Sequence, residues 1–273
     1  MVYAISDVHG DVKRAKELLA QEGLINKKGR WSGGSNQLVV CGDSVDRGDF
    51  GYESLELFMH LEREAQMEGG SVVYLLGNHD LWLIGMARMR DEKDPVFKRV
   101  YQGWRAGGGK VNDLKKMVVG DPVFEWLITR PVMCRIGDVL YQHADAMMFY
   151  VRLSEKGISG DEMIKSINAK VTQVLADPSS EGAWYLGNEM TCARDWDRNE
   201  RLVPNYLTMF GVDKVVHGHS PNGVSDLPMY YLQGRVILID GIMSDGYGRF
   251  RGEPDPNRGV ILALESTSTY FIA

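Results

Sequence analysis

Short apolar runs alternate with stretches of helical period through the first 76 residues. Val2 to Ser6 is a run of β type, and Asp11 to Glu22 then carries apolar or small residues at 12, 15, 18 and 19, the spacing of one helix face. Gln37 to Cys41 predicts a second strand. Tyr52 to Gln66 predicts a second helix with Leu55, Phe58, Met59 and Leu61 inward, and Ser71 to Leu76 a third strand. Strand, helix, strand, helix, strand at these intervals predicts βαβ units on a mostly parallel sheet.

After Asp80 the alternation stops. Residues 81–130 have helical character interrupted by AGGG at 106–109, and are read as a helical cap inserted over one end of the sheet. Strand character returns at Val132 to Ile136 and Val139 to His143, followed by a helix at Gly160 to Ala176 and a tryptophan-rich loop region at 183–198. Short strands in DKVVHG, RVILID, GVILALE and STSTYFI close the chain. No internal repeat or linker interrupts this order, so residues 1–273 are read as one domain.

A net charge of −6 argues against a broad nucleic-acid or membrane footprint. Cys41, Cys134 and Cys192 lie far apart, which fits neither a disulfide framework nor a thiolate zinc site and points to a reducing compartment. The opening MVYAISDVHG leads directly into a strand, and no apolar run approaches membrane-spanning length; a cytoplasmic location is expected.

The candidate chemistry sits where the strands end. Asp7-Val-His9-Gly10, Gly42-Asp43 through Arg47-Gly48, and Gly77-Asn78-His79-Asp80 each follow a predicted strand. Parallel strands bring their C-terminal ends to one edge, the usual ligand site of an α/β sheet. Asp7, His9, Asp43, Asn78 and His79 therefore converge by topology. His143 ends a fourth predicted strand, and His217 and His219 follow a fifth. Any one of these aspartates, taken alone, reads more simply as a helix cap, and a lone His143 as a buried core histidine. Strand ends gathering such residues together, five in all, read as a site. Oxygen ligands mixed with imidazole suit divalent Mn, Fe or Zn, and two ions sharing one carboxylate would use this many donors.

DVHG, GDSVDRG, GNHD, His143 and GHS resemble, in order, the motif series of the calcineurin-like metallophosphoesterases. Asp46-Arg47-Gly48 and Asn78-His79-Asp80 look like the phosphoprotein phosphatase branch, and IDGIMSDGYG at 239–248 with the segment 192–198 like its Shewanella-like and Rhizobiales-like bacterial types. The resemblance implies a β-sandwich flanked by helices, two divalent metal ions and hydrolysis by in-line attack of a bridging hydroxide. It implies Asp7 and His9 on the first metal, Asp43 bridging, and Asn78, His143 and His219 on the second. Arg47 would bind phosphate beside Asn78 and His79. His79, oriented by Asp46, would be the general acid, and Arg198, ahead of Arg194, would complete the phosphate clamp.

The chain departs from the pattern at Asp80, where glutamate is commoner, and at Ala144-Asp145, where Ala-Gly is commoner. Pro221 stands where diesterase branches place another histidine, which favours a phosphomonoesterase. The expected substrate is a phosphorylated protein, at phosphotyrosine or phosphoserine/threonine. A small phosphorylated molecule such as a dinucleoside polyphosphate is the alternative, and a non-catalytic metal-dependent scaffold a remote third. Trp104, Trp126, Trp184 and Trp196 are read as core or as stacking surfaces; the oligomeric state is left open.

Overall fold

In the computed structural model, residues 1–89, 95–153, 157–177, 182–196, 199–221, 227–252, 259–265 and 271–272 are described. The strands are β1 (Val2–Ile5), β2 (Gln37–Val40), β3 (Ser71–Tyr74), β4 (Met133–Ile136), β5 (Val139–Gln142), β6 (Lys214–His217), β7 (Met229–Tyr231), β8 (Val236–Leu238), β9 (Ile261–Leu264) and β10 (Phe271–Ile272). They form two mixed sheets, ordered β3-β2-β1-β9 and β10-β4-β5-β6-β8-β7. β1, β2 and β3 run parallel, as their spacing predicts, and antiparallel β9 closes the edge beside β1. β5, β6 and β8 are parallel in the second sheet.

Alternate residues of each strand separate two cores. Val2, Ala4, Val39, Cys41 and Val73 pack between the sheets against Cys134, Ile136, Tyr141, Val216 and Ile237. Their neighbours Tyr3, Ile5, Leu38, Val40 and Tyr74 face outward into a larger core built with the helices. The result is the expected sandwich flanked by helices.

The helices are α1 (Val12–Gln21), α2 (Gly51–Met67), α3 (Asn78–Arg88), α4 (Pro95–Ala106), α5 (Val111–Lys116), α6 (Pro122–Leu127), α7 (Met147–Leu153), α8 (Asp161–Ala176), α9 (Gly182–Glu189), α10 (Val203–Phe210) and α11 (Asp245–Arg251). Leu55, Phe58, Met59 and Leu61 of α2 are buried, as predicted. Residues 81–130 hold α3 to α6, and AGGG marks the break between α4 and α5. The helix predicted at Gly160 to Ala176 is α8, but the region 183–198 departs from its reading as a loop: α9 reaches into it and packs along α3 with Gly85 against Trp184 and Gly187 against Trp82. No described helix is long and apolar enough to cross a membrane.

The turns after β1 and β2 lock backbone to backbone. The Gly48 amide donates to the His9 carbonyl at 2.9 Å, and a Cβ at Gly48 would lie 2.1 Å from that oxygen. Gly103, exposed within α4, meets nothing within 4 Å. Gly48→Ala is expected to destabilise the chain by about 1–3 kcal/mol through overpacking, whereas Gly103→Ala should be neutral or stabilising by up to ~1 kcal/mol. Urea denaturation of both variants checks this; equal effects would show that the turn tolerates separation.

Candidate metal centre

The C-terminal ends of six parallel strands reach one edge, and the loops leaving them carry the polar residues. Six of these adopt left-handed backbone: Asp7 (φ 51°), His9 (45°), Asp43 (55°), Asp46 (65°), Arg47 (62°) and His219 (64°). That region is unfavourable for residues other than glycine, and its clustering at one edge is typical of functional sites.

Asp43 lies at the middle. Its Oδ1 accepts the His79 amide at 2.9 Å, and its Oδ2 lies 3.3 Å from His143 Nε2 and 3.8 Å from His9 Nε2. Two buried donor groups, His9–Asp43–His79 and Asp43–His143–His219, each gather ligand atoms within 4.8 Å and share this carboxylate. Asp7 Oδ1 lies 3.8 Å from His9 Nε2, so Asp7 joins the first group's side. One end of the Asn78 amide is 3.0 Å from both His143 Nε2 and His219 Nδ1; its oxygen offers a ligand atom there, and rotated, its nitrogen a donor.

Electrostatics follow from crowding these groups in dry surroundings. Burial alone would raise Asp43, but His143, His79 and His9 together outweigh it and hold the carboxyl well below its ordinary value. Burial would likewise lower His143; the Asp43 carboxylate against it wins and pushes the imidazole up to about 10. Burial and the Asp240 carboxylate push Asp7 well up. Burial, then Arg47 and His79, holds His9 well down; burial, then His143 and Arg194, does the same to His219. The buried Nε2 of His219 meets no hydrogen-bond partner among the described residues. Imidazoles, carboxylates and an amide oxygen around shared Asp43 form a donor set that fits divalent cations, once His143 gives up its proton.

Beside this cluster, His79 Nδ1 pairs with Asp46 Oδ2 at 2.8 Å. Arg47 reaches His9 Nε2 at 2.6 Å and His79 Nε2 at 3.0 Å, so its guanidinium spans both. Arg194 donates to the His219 carbonyl at 2.9 Å, and Arg198 lies outside the described residues. The Asp145 carboxylate accepts the Trp196 amide at 2.8 Å and so pins the segment that carries Arg194. His217 faces away: its Nδ1 meets the Gly218 carbonyl, its Nε2 finds no partner among the described residues, and burial lowers it to about 4.

Four contributors escape sequence reasoning. Trp104 Nε1 donates to Asp46 Oδ2 at 2.9 Å, the same oxygen that holds His79. The Trp82 ring meets His79 edge-on at 4.7 Å. The Tyr247 ring lies 3.9 Å beneath the Arg47 guanidinium, and its hydroxyl donates to buried Asp240 at 3.2 Å. Only the segment 239–248 gave any signal, through its similarity to bacterial phosphatases. Trp196 is core, against Tyr231, and Trp126 caps Glu62 away from the site.

Residues 1–223 match the family model for calcineurin-like phosphoesterases. Shewanella-like protein phosphatase 1 of Plasmodium berghei is 34% identical over 94% of this chain and 70% of its own length. Shewanella-like protein phosphatase 2 of Arabidopsis thaliana is 35% identical over 41% of this chain, which spans only 29% of that relative. A symmetrical bis(5'-nucleosyl)-tetraphosphatase of Aromatoleum aromaticum is 28% identical over 76% of this chain and 65% of its own. In fold, the chain is similar to the cold-active protein-tyrosine phosphatase of a Shewanella species, with a TM-score of 0.66, 23% identity and coverage of 90% and 71% of the two chains. A family match that takes in every cluster of candidate ligands, with a relative aligning along nearly the whole sequence, settles the membership: this chain belongs to the calcineurin-like phosphoesterase family.

Proposed function

We propose that the chain is a phosphatase that employs two divalent cations to hydrolyse phosphomonoesters, with a phosphorylated protein as substrate. The observation that carries this reading is the sharing of buried Asp43 by two donor groups, with Arg47 and the His79–Asp46 pair on the same edge. Asp7, His9 and Asp43 would hold one ion; Asp43, Asn78, His143 and His219 the other. Donors of this kind, without thiolate, suit Mn, with Fe or Zn as alternatives. When bound, the cations neutralise phosphoryl oxygens and supply a water acidic enough to attack near neutral pH.

The chain's own residues do the rest. The Arg47 fork matches two phosphoryl oxygens, and Arg194 approaches from the opposite segment. His79 Nε2 would deliver the proton to the leaving oxygen, while Asp46 on Nδ1 fixes the ring's orientation. Trp104 holds Asp46 in turn. His79 also falls within reach of the first donor group, so the two roles open to it, ligand and acid, are separable by experiment. The Trp82 ring beside His79 gives an aryl leaving group an aromatic wall, which favours phosphotyrosine. The dinucleoside tetraphosphatase relative keeps a dinucleoside polyphosphate as the second reading. Residues 81–130 would cap a single catalytic unit, and three free cysteines fit a reducing, cytoplasmic setting.

Metal-stripped protein reloaded with Mn should hydrolyse p-nitrophenyl phosphate and leave bis-p-nitrophenyl phosphate almost untouched; diester preference would overturn the monoesterase reading. Asp43→Asn should lose both metal loading and turnover. His79→Asn should keep metal loading and lose about 10²- to 10⁴-fold in kcat on a phosphoserine peptide. The loss should be smaller on p-nitrophenyl phosphate, whose leaving group departs without a proton; equal losses on both substrates would remove the acid role. Because His143 is protonated up to about pH 10 and must be neutral to ligate, metal affinity should rise steadily between about pH 6.5 and 8.5. Metal titrations giving a flat profile would show that His143 is already neutral in the metal-free protein.

A further inference from the structure

The chain is acidic, with a net charge of −6, yet one cavity opening beside Arg47 reverses that sign. It measures about 390 Å³, and its lining carries Arg47, Arg105, Lys110 and Arg249 with the ring of Phe250, and no carboxylate among the described residues. Two separate segments build it against Arg47. The 106–109 turn supplies the Gly108 carbonyl, which accepts the Arg47 amide at 2.7 Å, and presents Arg105 and Lys110 on either side. From the other side, Gly246 of α11 packs so closely that a Cβ there would lie 2.1 Å from the Arg47 carbonyl, which places Arg249 and Phe250 at the rim.

We propose that this cavity binds a second anionic group of the substrate, a carboxylate or phosphate adjacent to the scissile phosphoester. The inference rests on the phosphatase reading above and deepens it to a substrate class. Arg47 joins the two places, since its guanidinium contacts His9 and His79 while its side chain also lines the cavity. Its Cζ lies 5.2 Å from the exposed Phe250 ring, which offers an apolar shelf beside the charges. The cations are available for exchange: Lys110 pairs at 2.8 Å with Asp49, whose side chain is 71% exposed, and ion pairs in water are weak. Arg105 donates to the Gly109 carbonyl and keeps its charge for the cavity. Several cations facing one small concavity raise the local concentration of anions and reward a ligand that bears two.

The test uses the full chain loaded with Mn and compares kcat/KM for phosphotyrosine peptides flanked by aspartate or by isosteric asparagine. A third peptide carries a second phosphate in place of the aspartates. A preference of about tenfold for the aspartate or doubly phosphorylated peptide is expected, and which of them gains tells carboxylate from phosphate as the source. The preference should shrink toward one as ionic strength rises from about 0.05 to 0.5 M, a measurement that needs no variant. In the double variant Arg249→Gln, Lys110→Gln the ratio should fall to about one, and Arg249→Lys should retain it. Because the readout is a ratio within one preparation, partial unfolding of a variant does not imitate it. Equal rates on all three peptides, or a preference that survives the double variant, would overturn the subsite while p-nitrophenyl phosphate turnover still upheld the phosphatase. Absence of turnover on every substrate, that one included, would overturn both.

Discussion

A carboxylate taken out of water is costly unless charges and donors around it compensate, and the strand ends are organised about doing this for Asp43. The His79 amide bonds one oxygen, His143 and His9 face the other, and Asp80 accepts the Asp43 amide at 3.0 Å. These partners come from the ends of β1 and β3 in one sheet and, through His143 after β5, from the second sheet. Asp43 therefore does more than offer a ligand atom. It fixes the turn after β2 against the start of α3, and it sets how the open edges of the two sheets meet. The same compensation keeps it ionised, which a carboxylate shared by two cations requires.

That arrangement holds six non-glycine residues in left-handed backbone, each at a cost of roughly 1–3 kcal/mol. Local sequence does not stabilise such a loop; the sandwich does. Asp80 shows how. Its carboxylate accepts the amides of Asp43, Ser44 and Gly77 and the Tyr74 hydroxyl, so a single buried side chain ties two turns to a core tyrosine. Burial, then the Asp43 charge, pushes Asp80 up to about 7, the consequence of setting two carboxylates side by side. Aspartate in place of the commoner glutamate thus sits at a structural joint rather than among the candidate ligands.

What the sequence made legible is what period and topology carry. β1 to β3 with α1 and α2 follow from spacing alone, and the edge that gathers Asp7, His9, Asp43, Asn78, His79, His143 and His219 follows from parallel strands. The rest depends on contacts between distant positions. Trp104 reaches Asp46 across 58 residues, and only the folded cap makes that contact. Tyr247 beneath Arg47 is farther still. α9 was unreadable because Gly182 and Gly187 weaken its helical signal; Gly187 is nonetheless required, since a Cβ there would lie 2.7 Å from the Trp82 ring. β7 is three residues long, too short for any alternation to register.

The two kinds of contact divide the labour. On the proposed reading, the strand ends supply chemistry common to any phosphoester: cation ligands, an arginine and a proton donor. Discrimination among substrates must come from segments that approach Arg47 and His79 from outside the sheets, which here are Trp82, the 104–110 turn and α11. The cap is not free to drift, because buried Asp113 of α5 accepts the amide of Tyr52 at the start of α2, a few residues beyond Arg47. A change in how α4 and α5 sit is thereby transmitted to the turn that aims Asp46 and Arg47. On the proposed reading, substrate choice and acid positioning would be mechanically coupled, and substitutions in residues 81–130 would alter specificity and rate together.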